Sequence, residues 1–191
     1  MSPIITPFLL DRLSTLLNQS LRDYALQYGL LPIHVQVLAY LAQANQYSDI
    51  PIAIAEYFGI TRGTVSQTVN LLESRGLLNK KTDPRHGKRV HLVLTPKGKS
   101  IVDSGWSKAL SAGISHEPLN VKEVNAMLLS LLKRLQRLNG QKAFGICHEC
   151  MHFLKNEKAN SCGLTGEILT TDQTLRICRE WSVQDNGPFT D

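Results

Sequence analysis

Four cysteines in the last quarter of the sequence are the residues whose type and spacing best suit a chemical role. Two, eleven and fifteen residues separate successive members of the set. A Cys-x-x-Cys pair lets two thiolates bind one centre, and two further cysteines complete the four sulfur ligands that tetrahedral zinc or an iron–sulfur cluster requires. The spacing therefore predicts one metal centre per chain. Its ligands would be Cys147, Cys150, Cys162 and Cys178.

The nature of this centre stays open between three alternatives. Zinc is slightly favoured, although zinc sites more often use two Cys-x-x-Cys pairs. One such pair with two scattered cysteines loosely resembles the ligand spacing of high-potential iron–sulfur proteins, so a cluster is the second alternative. The third is thiol switching without a metal. His148 and His152 flank the pair and could replace a cysteine, but we expect them to lie beside the ligands.

The segment that carries the cysteines is too short to build much of a core alone, so metal binding should be coupled to its folding. The centre would then either stabilise the segment or also sense a metal or redox signal. Apolar residues between the cysteines are expected to enclose it. They are Ile146, Phe153, Leu164, Ile168, Leu175, Ile177 and Trp181.

A basic segment in the middle of the chain is a second candidate site. Between Arg62 and Lys99 nine Lys and Arg residues face two acids, a net charge of +7, whereas the whole chain carries +5. The rest of the chain is therefore slightly acidic, and the basic character is a local patch. Such a patch suits a polyanion such as nucleic acid.

The order of residues before the patch predicts a helix-turn-helix. A short helix is expected from about Ile52 to Phe58, Gly59 supplies the turn, and a second helix runs from Thr61 to about Arg75. A helix that enters the ~12 Å wide major groove needs short polar side chains on its exposed face. The residues that meet this need are Thr61, Arg62, Thr64, Ser66, Gln67 and Asn70, opposite the apolar Val65, Val69, Leu71 and Leu72.

Two strands with a basic tip between them are predicted to follow, at about residues 77–81 and 90–94. This hairpin would form a wing whose cations contact phosphates, because phosphate contact needs only charge and reach. The residues expected to make those contacts are Lys80, Lys81, Arg85, Lys88 and Arg89.

Long amphipathic helices are predicted near both ends of this region. One runs from Pro7 to Tyr28, and another begins at Asn120, which we expect to cap it together with Glu123, and ends at Gly140. These helices carry more apolar surface than a small helical core can cover, which favours a two-fold homodimer. We therefore predict a mainly α (α+β) winged-helix domain with dimerisation helices over residues 1–140, and a four-cysteine extension over residues 141–191.

The sequence resembles the MarR family of bacterial winged-helix regulators in the segment IAEYFGITRGTVSQTVNLLESRGLL, in its basic wing and in LTPKGK. The resemblance extends from about residue 5 to about residue 139. It implies an obligate homodimer with intertwined terminal helices, which places two recognition helices in successive major grooves of a near-palindromic operator in double-stranded DNA. It also implies a small-molecule inducer bound between the dimer helices and the winged-helix region.

The wing tip departs from the family pattern of an acid, one spacer and an arginine. Counting back from LTPKG, those two positions hold His86 and Lys88, whereas Asp83 and Arg85 repeat the pattern three residues earlier. Either the register of the wing differs, or Lys88 and Arg89 serve instead. Phosphate contact by the wing is therefore a safer expectation than base readout.

The leading interpretation is a sequence-specific transcriptional regulator, expected to be a repressor and not an enzyme. Its signal stays open between a metal or redox change at the cysteines and a small molecule. A winged helix followed by a cysteine segment is also similar to the alpha subunit of archaeal transcription factor E, so a scaffold factor with a structural zinc module is an alternative. An iron–sulfur electron carrier or enzyme is a third, but the sequence shows no phosphate loop or nucleotide fingerprint.

A cytoplasmic protein is expected from the composition. No stretch approaches the ~20 apolar residues of a membrane span, and the start of the chain, MSPIITPFLLDRL, lacks a basic region like that of a secretory signal. Clustering of all four cysteines in the last quarter is also unlike the disulfide framework of a secreted core.

Overall fold

The computed structural model describes residues 5–84, 87–105, 120–156 and 159–182. Within these residues four helices come first, a two-stranded hairpin follows, and two further helices precede the cysteine-containing segment. These elements are α1 (Ile5–Leu26), α2 (Pro32–Gln43), α3 (Pro51–Phe58), α4 (Arg62–Ser74), β1 (Leu78–Thr82), β2 (Val90–Leu94), α5 (Pro96–Asp103) and α6 (Val121–Leu138). This order is that of a winged helix-turn-helix, so the predicted mainly α fold is confirmed.

The main core lies where α2, α3, α4 and the wing meet. Leu38 of α2, Ile54 of α3, Leu72 of α4 and Leu78 of β1 are all fully buried. Each is an apolar residue on the inward face of its element, at the spacing that a helix or strand requires. Burial of each of these side chains stabilises the fold by roughly 1.5–3 kcal/mol relative to exposure. It therefore fixes the orientation of α4, whose polar face remains in contact with solvent.

The wing is an antiparallel hairpin in which Leu78 pairs with Leu94 and Thr82 with Val90. Thr95, directly after β2, donates from its hydroxyl to the Gly76 carbonyl at 2.7 Å and accepts the Gly98 N–H at 3.1 Å. Gly98 lies so close to the start of β1 that a Cβ atom there would stand 2.0 Å from the Leu77 carbonyl oxygen. The LTPKG segment therefore fastens α5 to the base of the wing.

Both terminal helices leave apolar side chains uncovered. In α1, Phe8 is 70% exposed, and no residue of α6 is buried, with Leu138 76% exposed. Helix α6 begins after Asn120 as predicted, but the Asn120 side chain makes no capping hydrogen bond. The predicted capping box at Asn120 and Glu123 is therefore wrong, while the amphipathic helix itself is confirmed.

After α6 the chain forms short strands, and we call the described residues from 141 to 182 the cysteine module. Strand β3 pairs with β7, and β4, β5 and β6 form an antiparallel sheet in that order. The bounds are β3 (Gly145–Ile146), a 3-10 turn (Cys147–Glu149), β4 (Phe153–Lys155), β5 (Asn160–Cys162), β6 (Ile168–Leu169), α7 (Thr171–Thr174) and β7 (Ile177–Cys178).

The small core of the cysteine module differs in part from the predicted apolar shell. Phe153 and Trp181 do pack there, around Cys147, Cys178 and Leu169. Ile168 is 74% exposed while Leu169 is 4% exposed, because neighbouring residues of a strand point to opposite faces. Leu164 and Leu175 are likewise exposed, and Ile177 packs against the main core instead. Among the described residues no helix is both long and apolar enough to cross a membrane.

Candidate DNA-binding surface and cysteine site

Helix α4 presents a continuous polar face to solvent. Its N-cap is Thr61, whose hydroxyl oxygen accepts the Thr64 N–H at 3.1 Å. On the opposite face Val65 and Val69 are buried, as predicted, and so is Thr68. The residues expected to face DNA are exposed along its outer side. They are Thr61, Arg62, Thr64, Ser66, Gln67 and Asn70.

Lysine side chains of the wing lie beside this face. The Lys80 ammonium donates to the Asn70 side-chain oxygen at 2.8 Å and to the Glu73 carboxylate at 2.6 Å. Lys80 is therefore tied to the recognition helix, which the sequence pattern did not indicate because the partners are seven and ten residues away. Lys81, Lys88 and Arg89 are exposed, and Arg85 lies outside the described residues.

Asp83 makes contacts across the wing hairpin. Its N–H donates to the Arg89 carbonyl at 2.9 Å, and its carboxylate lies 3.2 Å from His91 Nε2 and 4.0 Å from the Arg89 guanidinium. The other ring nitrogen of His91 lies 2.6 Å from the Asp49 carboxylate. Burial lowers the pKa of His91, but the hydrogen bonds with Asp49 and Asp83 outweigh it, so that pKa is raised overall.

Strand pairing brings the four cysteines to one place. Pairing of β3 with β7 sets Gly145 opposite Cys178, two residues before Cys147. Pairing of β4 with β5 sets Phe153 opposite Cys162, three residues after Cys150. All four thiols are free and line one small pocket. The four cysteines thus share one pocket.

Burial dominates the electrostatics of the cavity. It raises the pKa of Cys147 to about 12, and the neighbouring cysteines add to the shift. Burial also raises the pKa of Cys178, against the Asn45 amide and the Glu180 backbone N–H, which favour the thiolate. No three His, Cys, Asp or Glu side chains in the described part of the chain are grouped so that they could hold a metal ion as they stand. The metal centre therefore stays a prediction.

The two histidines that flank the Cys-x-x-Cys pair differ in position. His152 lines the cavity together with the cysteines. His148 instead turns one ring nitrogen, Nδ1, to the Thr174 carbonyl oxygen at 3.1 Å. Only His152 is therefore placed where it could act beside the thiols.

The cysteine module packs on the loop between α2 and α3, residues 44–50. The Asn45 N–H donates to the Ile177 carbonyl at 3.0 Å, and the Arg179 N–H donates to the buried Ser48 hydroxyl at 2.8 Å. Gln46 donates through its side-chain amide to the Glu167 carboxylate at 2.7 Å. These contacts join residues more than 100 positions apart, so no local pattern in the sequence could have indicated them.

Arg179 extends from this module to α3. Its guanidinium donates two hydrogen bonds to the Glu56 carboxylate, at 2.5 and 2.7 Å, and a third to Glu180 at 2.8 Å. The Arg179 hydrogen bonds lower the pKa of Glu56 and, in return, Glu56 raises the pKa of Arg179. Two parallel bonds fix the planar guanidinium in orientation as well as in distance. The module is therefore joined to the first helix of the helix-turn-helix.

Comparison with known proteins agrees with this geometry. Residues 28–89 match the model of the MarR family. The fold is similar to Staphylococcus aureus MepR in its DNA-binding conformation, at 23% identity over 69% of this chain and 97% of that one, with a TM-score of 0.60. No curated protein matches the sequence.

Two further solved structures share the fold. The transcription regulator MarR from Oenococcus oeni matches at 18% identity over 69% of this chain and 98% of its own, with a TM-score of 0.56. CouR from Rhodococcus jostii, solved with p-coumaroyl-CoA bound, matches at 22% identity over 69% of this chain and 90% of its own, with a TM-score of 0.55. The winged-helix fold is therefore shared with these proteins, and the match to the MarR family model lies within that part of the chain.

Proposed function

Because residues 28–89 match the MarR family and lie within a winged helix-turn-helix, we propose that this protein is a sequence-specific DNA-binding transcriptional regulator that acts as a repressor. The observation that carries the proposal is the exposed polar face of α4 beside a basic wing. Side chains such as Arg62 and Gln67 can reach base edges, whereas Lys81, Lys88 and Arg89 have the charge and exposure to hold phosphates.

The proposed active form is a homodimer. The uncovered apolar side chains of α1 and α6 support it, because a single chain leaves them in water and a two-fold dimer would bury them. Two copies of α4 would then face one duplex, which calls for a near-palindromic operator. A small organic inducer is a further proposed partner, supported by the bound p-coumaroyl-CoA of CouR.

Binding to two duplexes of equal length and base composition tests this function. One duplex carries the region upstream of the protein's own gene, and the other has that sequence shuffled. At one fixed salt concentration, the dimer should prefer the upstream duplex by roughly 10³-fold or more. Equal affinity for both would refute sequence-specific regulation and favour the scaffold alternative. Repression predicts, in addition, that the protein lowers transcription in vitro from that upstream region.

A further inference from the structure

We propose that the four cysteines bind one thiolate-ligated metal centre, and that this centre changes DNA affinity by shifting the Arg179 side chain that is bonded to Glu56 of α3. The ligand class is a thiophilic metal, either a single zinc ion or an iron–sulfur cluster, since both are held by four cysteine sulfurs. The binding half of the proposal stands independently, and the half that concerns DNA rests on the proposed regulatory function.

The arrangement of the thiols supports a metal site. Three separate chain segments deliver the four cysteines to one cavity, and two strand pairings fix where those segments meet. Sulfur ligands select zinc or iron–sulfur clusters over magnesium and calcium, which prefer oxygen. Each thiol loses its proton to solvent as its sulfur bonds to the metal.

Buried N–H donors near the sulfurs support the same site independently. Asn45 is only 1% exposed, and its side-chain nitrogen has no hydrogen-bond partner in the described part of the protein. Asn45 lies beside the cysteines, because its backbone N–H donates to the carbonyl of Ile177, the neighbour of Cys178, at 3.0 Å, and the Ser182 N–H donates to the Cys150 sulfur at 3.4 Å. A buried amide without an acceptor costs about 1–3 kcal/mol. Metal-bound thiolates would supply the missing negative charge, as outer-shell donors require.

Metal binding must draw the sulfurs closer together than they stand, since no three of the described ligand-type side chains are yet grouped around one ion. Two of the residues that would move with them reach outside the module. Arg179 follows Cys178 directly, and the Glu167 carbonyl accepts the Cys162 N–H at 2.9 Å. If the sulfurs move together on binding a metal, Arg179 moves with Cys178 and Glu167 moves with Cys162.

Both side chains contact the elements that hold the recognition helix and the wing. Arg179 grips Glu56 on α3, and α3 packs against α4. Glu167 accepts hydrogen bonds from Gln46 and Tyr47 on the loop between α2 and α3. The same loop holds the wing, because the Leu92 N–H donates to the Asp49 carbonyl at 2.7 Å. The recognition helix α4 packs on α3, the wing is hydrogen-bonded to the loop between α2 and α3, and the cysteine module contacts both α3 and this loop.

Metal content tests the first half without any DNA. The full chain is purified without oxygen, and its zinc, iron, sulfide and visible absorption are measured. We expect either one zinc per chain and no colour, or iron with sulfide and a brown protein. A metal-free protein that takes up neither zinc nor a reconstituted cluster would refute the site.

Variants locate the metal within the chain. Each single Cys→Ser change should remove most of the metal, whereas His148→Ala should retain it because His148 is bonded to the Thr174 carbonyl. If a Cys→Ser chain does not fold, titration of the intact protein with an organomercurial decides the point. Metal should leave as the four thiols react, and thiols that react fully while the metal stays bound would contradict cysteine ligation.

The second half is tested by the affinity of the metal-loaded and metal-free dimers for the upstream duplex at fixed salt. We expect a difference of about 5- to 150-fold, the usual range of coupling between two sites. Glu56→Gln should keep the metal and abolish the difference. Asp172→Asn, which breaks the exposed ion pair with Arg176 inside the module, is the matched control and should preserve it.

The outcomes separate the two proposals. If loaded and metal-free dimers bind within twofold of each other, the centre only stabilises the module and the coupling is wrong. If Glu56→Gln leaves the difference intact, the route through Arg179 is wrong. If neither form distinguishes the upstream duplex from its shuffled counterpart, the regulatory function fails, while the metal analysis still decides the site.

Discussion

His91 on the second wing strand holds the carboxylate of Asp49, on the loop between α2 and α3, at 2.6 Å. Its other ring nitrogen lies 3.2 Å from Asp83 at the far end of the first wing strand. The imidazole thus bridges two carboxylates that belong to different parts of the fold. A protonated ring can donate to both at once, so the attachment of the wing depends on the charge of His91.

Stability should therefore depend on pH through this histidine. Its pKa is lowered by burial but raised overall in the folded protein, because the hydrogen bonds with Asp49 and Asp83 outweigh the effect of burial. The stabilisation is fully present below the unfolded pKa of about 6.5, and it is lost as pH rises through the folded pKa. Urea unfolding of the wild type and of His91→Gln between about pH 5.5 and 8.5 measures this. The gap between the two proteins should narrow as pH rises, and a constant gap would contradict a charged bridge.

Helix and wing side chains should contribute differently to DNA recognition. Arg62→Ala and Gln67→Ala should each weaken binding to the operator by about 1–3 kcal/mol and change binding to random DNA less, because these exposed side chains are the ones we propose to contact base edges. Lys88→Ala and Arg89→Ala should weaken both alike, because phosphates carry no sequence information. Fluorescence anisotropy with both duplexes at one salt concentration gives, for each of the four variants, the ratio of its operator affinity to its affinity for random DNA. Equal losses on both duplexes for the helix variants would contradict the assignment of α4.

The sequence indicated the winged-helix part well because its signals are local. The helical spacing of apolar residues along α4 predicted that Val65 and Val69 are buried and Gln67 is exposed, as the structure has them. The cap at Asn120 failed because a favourable residue type does not ensure the hydrogen bond. In the cysteine module the strands are two or three residues long, too short for alternation to show which face is buried, so Ile168 was misplaced.

Long-range contacts were beyond the reach of sequence reasoning altogether. The pairs Arg179 with Glu56 and Gln46 with Glu167 join positions more than 100 residues apart. Nothing in the type or spacing of these residues marks them as partners, because long-range side-chain contacts of this kind are set by tertiary packing. The spacing of the cysteines indicated a common site, but not that the site would pack against α3 and the loop between α2 and α3.

A charge on the apolar face of α6 should abolish dimerisation. Leu132 lies in the middle of this face and is exposed in the single chain. Leu132→Glu would place a carboxylate in the proposed interface without a partner, at a cost of several kcal/mol. Ser130→Glu adds the same charge on the opposite face of the helix and is the matched control. Analytical ultracentrifugation should show monomer for the first variant and dimer for the second, and a dimeric Leu132→Glu would place the interface elsewhere.

Gly98 should be far less tolerant of alanine than Gly87, although both glycines belong to the wing region. A Cβ atom on Gly98 would stand 2.0 Å from the Leu77 carbonyl oxygen, whereas one on Gly87 meets no atom of the described residues within 4 Å. Backbone cannot rotate away as a side chain can, so Gly98→Ala must push α5 from the base of the wing and strain the Thr95 hydrogen bonds. We expect a loss of about 1–3 kcal/mol in the free energy of unfolding.

Gly87→Ala should change the same free energy by no more than about 0.5 kcal/mol, as expected for a surface site. Because α5 also bears on the base of the wing, Gly98→Ala should lower DNA affinity at temperatures where the variant remains folded. Chemical unfolding and DNA titration of the two variants provide both measurements. If Gly98→Ala matches Gly87→Ala in stability, the close approach of α5 to Leu77 does not hold the wing, and the LTPKG segment does not fasten these two elements together.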